Sequence, residues 1–201
     1  TDKHYLAEVA AMGLPVVPTV FIEPGHEDWL EDVRGLLTRG DVVVKPAISA
    51  GSNDTERHSN IDVAQQHISE LLSAQRSVML QPYMADVDVE SETGLVFIDG
   101  KFSHAFAKGA LLAQEKNMSG GLYAEEEIGV RQPTAEQLLI GERAVKWLTS
   151  RFGKLLYARV DLLPTAQGPV IIEIELTEPS LYLLLHPEAA TELANALISH
   201  S

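Results

Sequence analysis

The 201-residue sequence contains no cysteine. Disulfides, thiolate metal sites and a cysteine nucleophile are therefore excluded, and a cytoplasmic location is expected. No apolar run approaches the roughly 20 residues of a membrane span, so a soluble chain is expected. Basic residues are scarce: 15 Lys plus Arg against 29 Asp plus Glu give a formal charge of −14. Such a balance argues against a general nucleic-acid binder. Walker A, GxGxxG and HExxH patterns are all missing, and "AGS" lacks the context of a serine nucleophile elbow. The seven histidines are scattered. His104 alternates with Phe102 and Phe106 and reads as a strand-face residue, and the others read as surface or loop positions. The chain opens on Thr1 without a leader pattern, as a processed or truncated chain would.

What is present is a chain that can bury a core, with 45% hydrophobic residues, and mixed α and β signals. "TDKHYLAEVAAMG" reads as a helix carrying Lys3, with Thr1 as cap and Gly13 as stop. "HEDWLEDVRGLLTRG", "NIDVAQQHISELLSA", "TAEQLLIGERAVKWLTSRFG" and "PEAATELANALISH" read as further helices, with Thr134 capping the third. "PVVPTVFI", "DVVVKP" and "SVMLQPYM" read as extended, the last broken by Pro82. "AISAGSNDTERHS" reads as a loop. The clearest hairpin is "SETGLVFIDGKFSHAFAKGA", which turns at Asp99-Gly100. The segment 109–124, with Gly120-Gly121 followed by an acidic run, reads as a mobile loop.

A second strand pair carries the chemistry. "LLYARVDLLP" and "GPVIIEIEL" flank a turn at Gln167-Gly168. Arg159 and Asp161 are two residues apart on the first strand, and Glu173 and Glu175 on the second, so each pair points to one face. Three carboxylates at that density require a cation or a proton. Oxygen donors without cysteine favour Mg²⁺ or Mn²⁺ over zinc. The plainer reading is a solvated face with Arg159 in a salt bridge. That reading is preferred for either pair alone, and a metal site for both pairs together. In "VVVKPAISAGS" a buried strand runs through Lys45 into a small-residue loop of Ser49, Ala50, Gly51 and Ser52. A lysine charge plus loop N–H groups is one way to hold phosphate. Lys108 ends "FSHAFAK" as another cation leaving an apolar run. Each lysine alone reads as solvated.

In their order along almost the whole chain, these segments resemble the ATP-grasp superfamily. "DVVVKPAISAGS" is similar to its phosphate-lysine strand and flexible loop, and "VMLQPYM" to the segment joining its two lobes. "SETGLVFIDGKFSHAFAK" is similar to its central hairpin. "YARVDLL" with "IIEIELTEPS" resembles the magnesium strands of glutathione synthetase and D-alanine–D-alanine ligase. The resemblance implies an α+β ATP-grasp fold, two lobes gripping ATP between antiparallel sheets, with a small lobe at 1–80 and a large lobe at 81–201. An N-terminal α/β domain usual in the superfamily has no counterpart here. The resemblance implies that Lys3, Lys45 and the loop residues Ser49, Ala50, Gly51 and Ser52 contact nucleotide phosphates. It implies that Gln81, Pro82, Tyr83 and Met84 hold adenine and that Glu92 reaches the ribose or the lobe interface. It places Lys108 near the transferred phosphoryl group and Arg159 on the acyl-phosphate or tetrahedral intermediate. Asp161, Glu173 and Glu175 would bind two Mg²⁺ ions, with Mn²⁺ able to substitute. Many relatives carry Asn where Glu175 stands.

The activity implied is ATP-dependent carbon–nitrogen ligation on a small-molecule substrate, an amino acid or derivative, forming ADP and phosphate. "KPAISAGSNDT" and "IEIELTEPSL" look like a bacterial subgroup that includes the O-ureido-D-serine cyclo-ligase of D-cycloserine biosynthesis, where one substrate is closed into a ring. No nucleic-acid or membrane partner is expected, and homo-oligomerisation is left open. Two rivals are a non-catalytic ATP/Mg-binding regulatory or tailoring domain and a metal-stabilised structural domain. The second of these leaves the lysines and the small-residue loop unexplained.

Overall fold

The computed structural model describes residues 2–26, 28–49, 52–110, 112 and 128–200. The chain forms two compact units, one comprising Thr1–Ala11 and Val17–Met84, the other Met12–Val16 and Ala85–Ser201.

The first unit is built on an antiparallel sheet of β1 (Val20–Ile22), β2 (Val42–Pro46), β3 (Glu56–His58) and β4 (Val78–Pro82), in the order β1-β4-β2-β3. Every residue of β2 is buried, as its valine run requires. The helices are α1 (Tyr5–Ala11), α2 (Leu30–Leu37) and α3 (Ile61–Ser73). Apolar faces of α2 and α3 (Val33, Ala64, Ile68 and Leu71) pack with Ile22, Val42, Val44, Val78 and Leu80 of the sheet in one core. Asn60 caps α3, its side chain accepting from the backbone N–H of Asp62 at 2.8 Å and of Val63 at 3.3 Å.

Three expectations are corrected in this unit. Lys3 does not lie on α1 but precedes it: Asp2 bridges to Ile48 and the Lys3 N–H donates to the Ala47 carbonyl at 2.9 Å, so the helix starts only at Tyr5. The loop after β2 contains β3, a strand of polar residues held by pairing Val42 with His58 and Val44 with Glu56. His58 and His67 are buried rather than surface residues, at 5% and 8% exposure, because β3 and α3 pack together.

The second unit is a five-stranded antiparallel sheet in the order β7-β6-β5-β8-β9: β5 (Glu92–Ile98), β6 (Lys101–Lys108), β7 (Ile128–Arg131), β8 (Tyr157–Leu163) and β9 (Val170–Glu175). The helices are α4 (Val87–Glu90), α5 (Ala135–Phe152) and α6 (Ala189–His200). The β5–β6 turn is Asp99-Gly100, both at positive φ (51° and 74°), as a tight hairpin demands. Thr134 caps α5 in a capping box with Gln137. The two faces of β5 serve different partners. Leu95 and Phe97 meet α5, where a Cβ on Gly141 would come within 2.6 Å of Leu95. On the other face Val96, Ile98 and Phe106 pack with Ala196 of α6. The segments β7 and α4 were not anticipated. The expected mobile loop, 109–124, lies mostly outside the described residues. No described helix is long and apolar enough to cross a membrane.

Two outcomes follow. A Cβ on Gly94 would lie 2.1 Å from the Phe106 ring. Gly94→Ala is therefore expected to destabilise the chain by about 1–3 kcal/mol in denaturant unfolding; an unchanged midpoint would refute that packing. Burial and the facing His67 lower the His58 pKa from 6.5. The native imidazole thus refuses a proton that the unfolded chain accepts, so stability is full above about 6.5 and declines as pH falls below it. The thermal midpoint, followed in EDTA from pH 7.5 to 5.5, should fall more steeply in the native sequence than in His58→Gln.

Candidate active site

The β8–β9 ladder places Arg159 opposite Glu175 and Asp161 opposite Glu173. It does so only through an irregularity. The register shifts between Asp161 and Leu162, so that Leu162 faces Ile171 and Ile172 is the extra residue of β9. An unbroken ladder from Leu163–Val170 would pair Val160 with Glu173 and turn both glutamates to the face that α5 covers. The bulge turns them instead to the face of Arg159 and Asp161. On β5, Gly94 lies opposite Asp161 and Val96 opposite Arg159; Glu92 is opposite Lys108 of β6. Strand alternation therefore brings Glu92, Lys108, Arg159, Asp161, Glu173 and Glu175 to one sheet face.

Arg159 organises this face. Its Nε donates to both oxygens of Asp161, at 2.9 and 3.1 Å, and Nη2 donates to Asp161 at 2.7 Å and to Glu175 at 2.6 Å. Nη1 donates to the Ser180 carbonyl at 3.2 Å, which ties down the segment after β9. His104 is buried against the same segment, its Nε2 donating to the Leu181 carbonyl at 2.8 Å. Beneath the guanidinium lies the Phe106 ring, 5.9 Å from Cζ, itself packed on Tyr182 at 4.4 Å. Tyr182 has a left-handed backbone, φ 47°, which is uncommon for a bulky residue.

Burial, partly opposed by Arg159, raises the pKa values of Asp161 and Glu175. Desolvation, with the Asp161 charge, pushes Glu92 up to about 7. Burial opposes the charge of Arg159, but Asp161, Glu175 and Glu92 outweigh it and keep the guanidinium protonated. Four carboxylates face two cations, an excess of negative charge that suits divalent cations. The donors are all oxygen, which suits a hard ion such as Mg²⁺. Asp161, Glu173 and Glu175 are thus a chemically fitting set of ligands, and Arg159 already bridges two of them.

Apart from Glu92, which is on β5 of the second unit, the expected nucleotide-binding residues lie in the first unit. Lys3 is 4% exposed, and its Nζ donates to the Ser49 carbonyl at 3.3 Å and reaches Ser49 Oγ at 3.5 Å. Lys45 is buried within β2. Ser52 has positive φ, 57°, whereas Ala50 and Gly51 lie outside the described residues. The Gln81 side chain is committed inward, donating to Thr19 Oγ1 at 2.7 Å, and the residue pairs with Val43 of β2 in the ladder. Pro82 ends β4, and Tyr83 and Met84 follow. Sequence reasoning missed the brace on Tyr83. The Arg57 guanidinium lies 3.6 Å from its ring centroid and binds Asp41 at 2.7 Å, while the Tyr83 N–H donates to the Asp41 carbonyl at 2.8 Å. No local pattern signals that brace, because β3, which carries Arg57, lacks a strand-like sequence.

No protein-family model matches the chain. The cycloserine biosynthesis protein DcsG of Streptomyces lavendulae is 37% identical across 98% of this chain and 68% of its own length. The crystal structure of D-cycloserine synthetase DcsG superposes with a TM-score of 0.88 at 36% identity, covering 99% of this chain and 69% of that one. The ATP complex of D-alanine–D-alanine ligase from Bacillus anthracis has a TM-score of 0.68 at 17% identity, covering 98% and 64%. This last likeness concerns the fold alone. The chain spans about two thirds of the length of these relatives.

Removing Arg159 leaves buried carboxylates uncompensated, so Arg159→Ala should cost about 3–5 kcal/mol in chemical unfolding. A loss below 1 kcal/mol would show that the guanidinium is not the organising charge.

Proposed function

This chain belongs to the ATP-grasp family of ATP-dependent carbon–nitrogen ligases, and we propose that it is a cyclo-ligase that closes a ring within one amino-acid-derived substrate, of the O-ureido-D-serine to D-cycloserine type. The observation that carries the ligase chemistry is the single sheet face holding Arg159, Lys108 and the carboxylates Asp161, Glu173 and Glu175. Ring closure is supported by the extended likeness to the Streptomyces protein. A substrate carboxylate oxygen attacks the γ-phosphorus of ATP and ADP leaves. A nitrogen of the same molecule then attacks the acyl carbon, the carbon–oxygen bond to phosphate breaks, and the nitrogen gives up its proton. The products are the ring, ADP and inorganic phosphate; in the O-ureido-D-serine case the ring nitrogen also sheds its carbamoyl group, which takes up water and departs as carbon dioxide and ammonia.

Lys3, Lys45, Ser49, Ala50, Gly51 and Ser52 hold the nucleotide phosphates in this reading. The backbone of Gln81, Pro82, Tyr83 and Met84 takes the adenine, with Tyr83 braced by Arg57. Lys108 neutralises charge on the transferred phosphoryl group. Arg159, fixed in place by Asp161 and Glu175, presents a permanent positive charge to the oxygen that becomes anionic as nitrogen adds. Glu92, opposite Lys108 in the ladder, reaches the ribose in this reading. Asp161, Glu173 and Glu175 would hold two Mg²⁺ ions, or Mn²⁺ in their place, which when bound polarise the phosphates. Catalysis is positioning and charge stabilisation rather than covalent chemistry by the protein. The setting is cytoplasmic, without nucleic-acid or membrane partners.

Two measurements test this. The thermal midpoint should rise with Mg²⁺ and ATP together, by mass action on the native state, and the rise should be lost in Glu173→Ala/Glu175→Ala. A rise with Mg²⁺ alone that ATP leaves unchanged would favour a structural metal instead. For the reaction, ADP release should accompany consumption of O-ureido-D-serine with no added amine. ADP release that depends on a second, amine-bearing substrate would replace ring closure with intermolecular ligation.

A further inference from the structure

The first unit holds a cluster that the ligase chemistry does not use. His58 Nε2 lies 3.0 Å from His67 Nδ1 and 3.7 Å from Glu56 Oε2. The three ligand atoms all fall within 4.8 Å of one another. We propose that Glu56, His58 and His67 form a binding site for a divalent transition metal of the zinc class, clamping β3 to α3.

Four observations carry this. First, the spacing suits a metal. Ligands about 2.0–2.1 Å from a tetrahedral ion stand roughly 3.3 Å apart, and the two distances from His58 Nε2 lie on either side of that value. Second, the donor set is two imidazoles and one carboxylate, a borderline set that favours zinc-like ions over Mg²⁺. It differs from the all-oxygen set on β8 and β9. Third, both histidines are buried, whereas the Glu56 side chain is 61% exposed. The imidazoles thus form the closed side of the site, and the carboxylate side provides entry and room for a water as fourth ligand. Fourth, an imidazole pair joined only by a hydrogen bond has no need of a third donor aimed at the same nitrogen. Glu56 supplies one because it sits two residues from His58 on one face of β3.

The site also accounts for an oddity of the fold. β3 is an edge strand of three residues, all charged or polar, and two of the three are ligands. Such a strand has little intrinsic tendency to form. A metal bridging it to α3 would hold it where the small-residue loop returns from β2. A second histidine-containing group among the described residues, His186, Glu188 and Glu192, has no buried member and serves as a control.

The test is a titration of the intact chain with Co²⁺, followed by visible absorption and then by displacement with Zn²⁺. All-oxygen octahedral Co²⁺ is nearly colourless, so binding at the carboxylates of β8 and β9 does not mimic the signal. The expected result is one equivalent of Co²⁺ with intense ligand-field bands that Zn²⁺ abolishes. Affinity should fall roughly tenfold or more in Glu56→Gln. The bands should be lost in His67→Gln and unchanged in His186→Gln. Zn²⁺ should also raise the thermal midpoint of the native chain more than that of Glu56→Gln. Absence of intense bands in the native chain, or bands of native affinity in folded Glu56→Gln, would overturn the site. Loss of the bands in His186→Gln would move it to the other cluster and equally overturn the proposal. If His67→Gln does not fold, Glu56→Gln decides, since its side chain is largely exposed.

Discussion

The carboxylate face depends on one buried guanidinium. Arg159 binds Asp161 through several donors, reaches across the ladder to Glu175 and holds the Ser180 carbonyl. Without it Asp161 would be an uncompensated buried charge, and burying such a charge costs more than most packing defects. Arg159 itself needs a floor, which Phe106 provides, and Phe106 needs the missing side chain of Gly94. The chain of dependence therefore runs from a glycine on β5, through an aromatic ring on β6, to a charge on β8. A planar donor fork suits this role because one residue can satisfy two carboxylates and a carbonyl at once, which a lysine point charge cannot do.

The two units contribute different chemistry. The second concentrates acids and an arginine on a rigid sheet, where positions are set by strand register and α5 secures the opposite face. The first carries buried lysines beside a loop of small residues, together with a tyrosine held between a backbone bond and an arginine. The cations are few, and several of them (Lys3, Lys45 and Arg159) are buried where they face specific groups.

Much of this was legible in the sequence. Alternation in "YARVDLL" and "VIIEIE" put each charged pair on one strand face, Asp99-Gly100 fixed a hairpin, and Thr134 announced the start of a long helix. Their order along the chain was enough to point to the ATP-grasp family. Other features were hidden because no local pattern encodes them. The strand Glu56–His58 has poor β propensity and exists only because β2 offers it a partner. The burial of His58 and His67 depends on α3 packing against that unexpected strand. Lys3 looked helical by composition, yet its N–H is taken by Ala47.

The sequence by itself determined which residues are charged, which alternate and where the chain turns, because these depend on side-chain chemistry and short-range backbone preference. Whether Glu173 and Glu175 face Arg159 and Asp161 was decided only by tertiary structure. A regular ladder from the turn would have sent both glutamates beneath α5; the extra residue Ile172 turns them over. A strand's side chains alternate with period two, so a shift of one residue reverses every one of them. Such a shift is set by pairing between strands and by what each face must bury, and neither can be read from a strand in isolation.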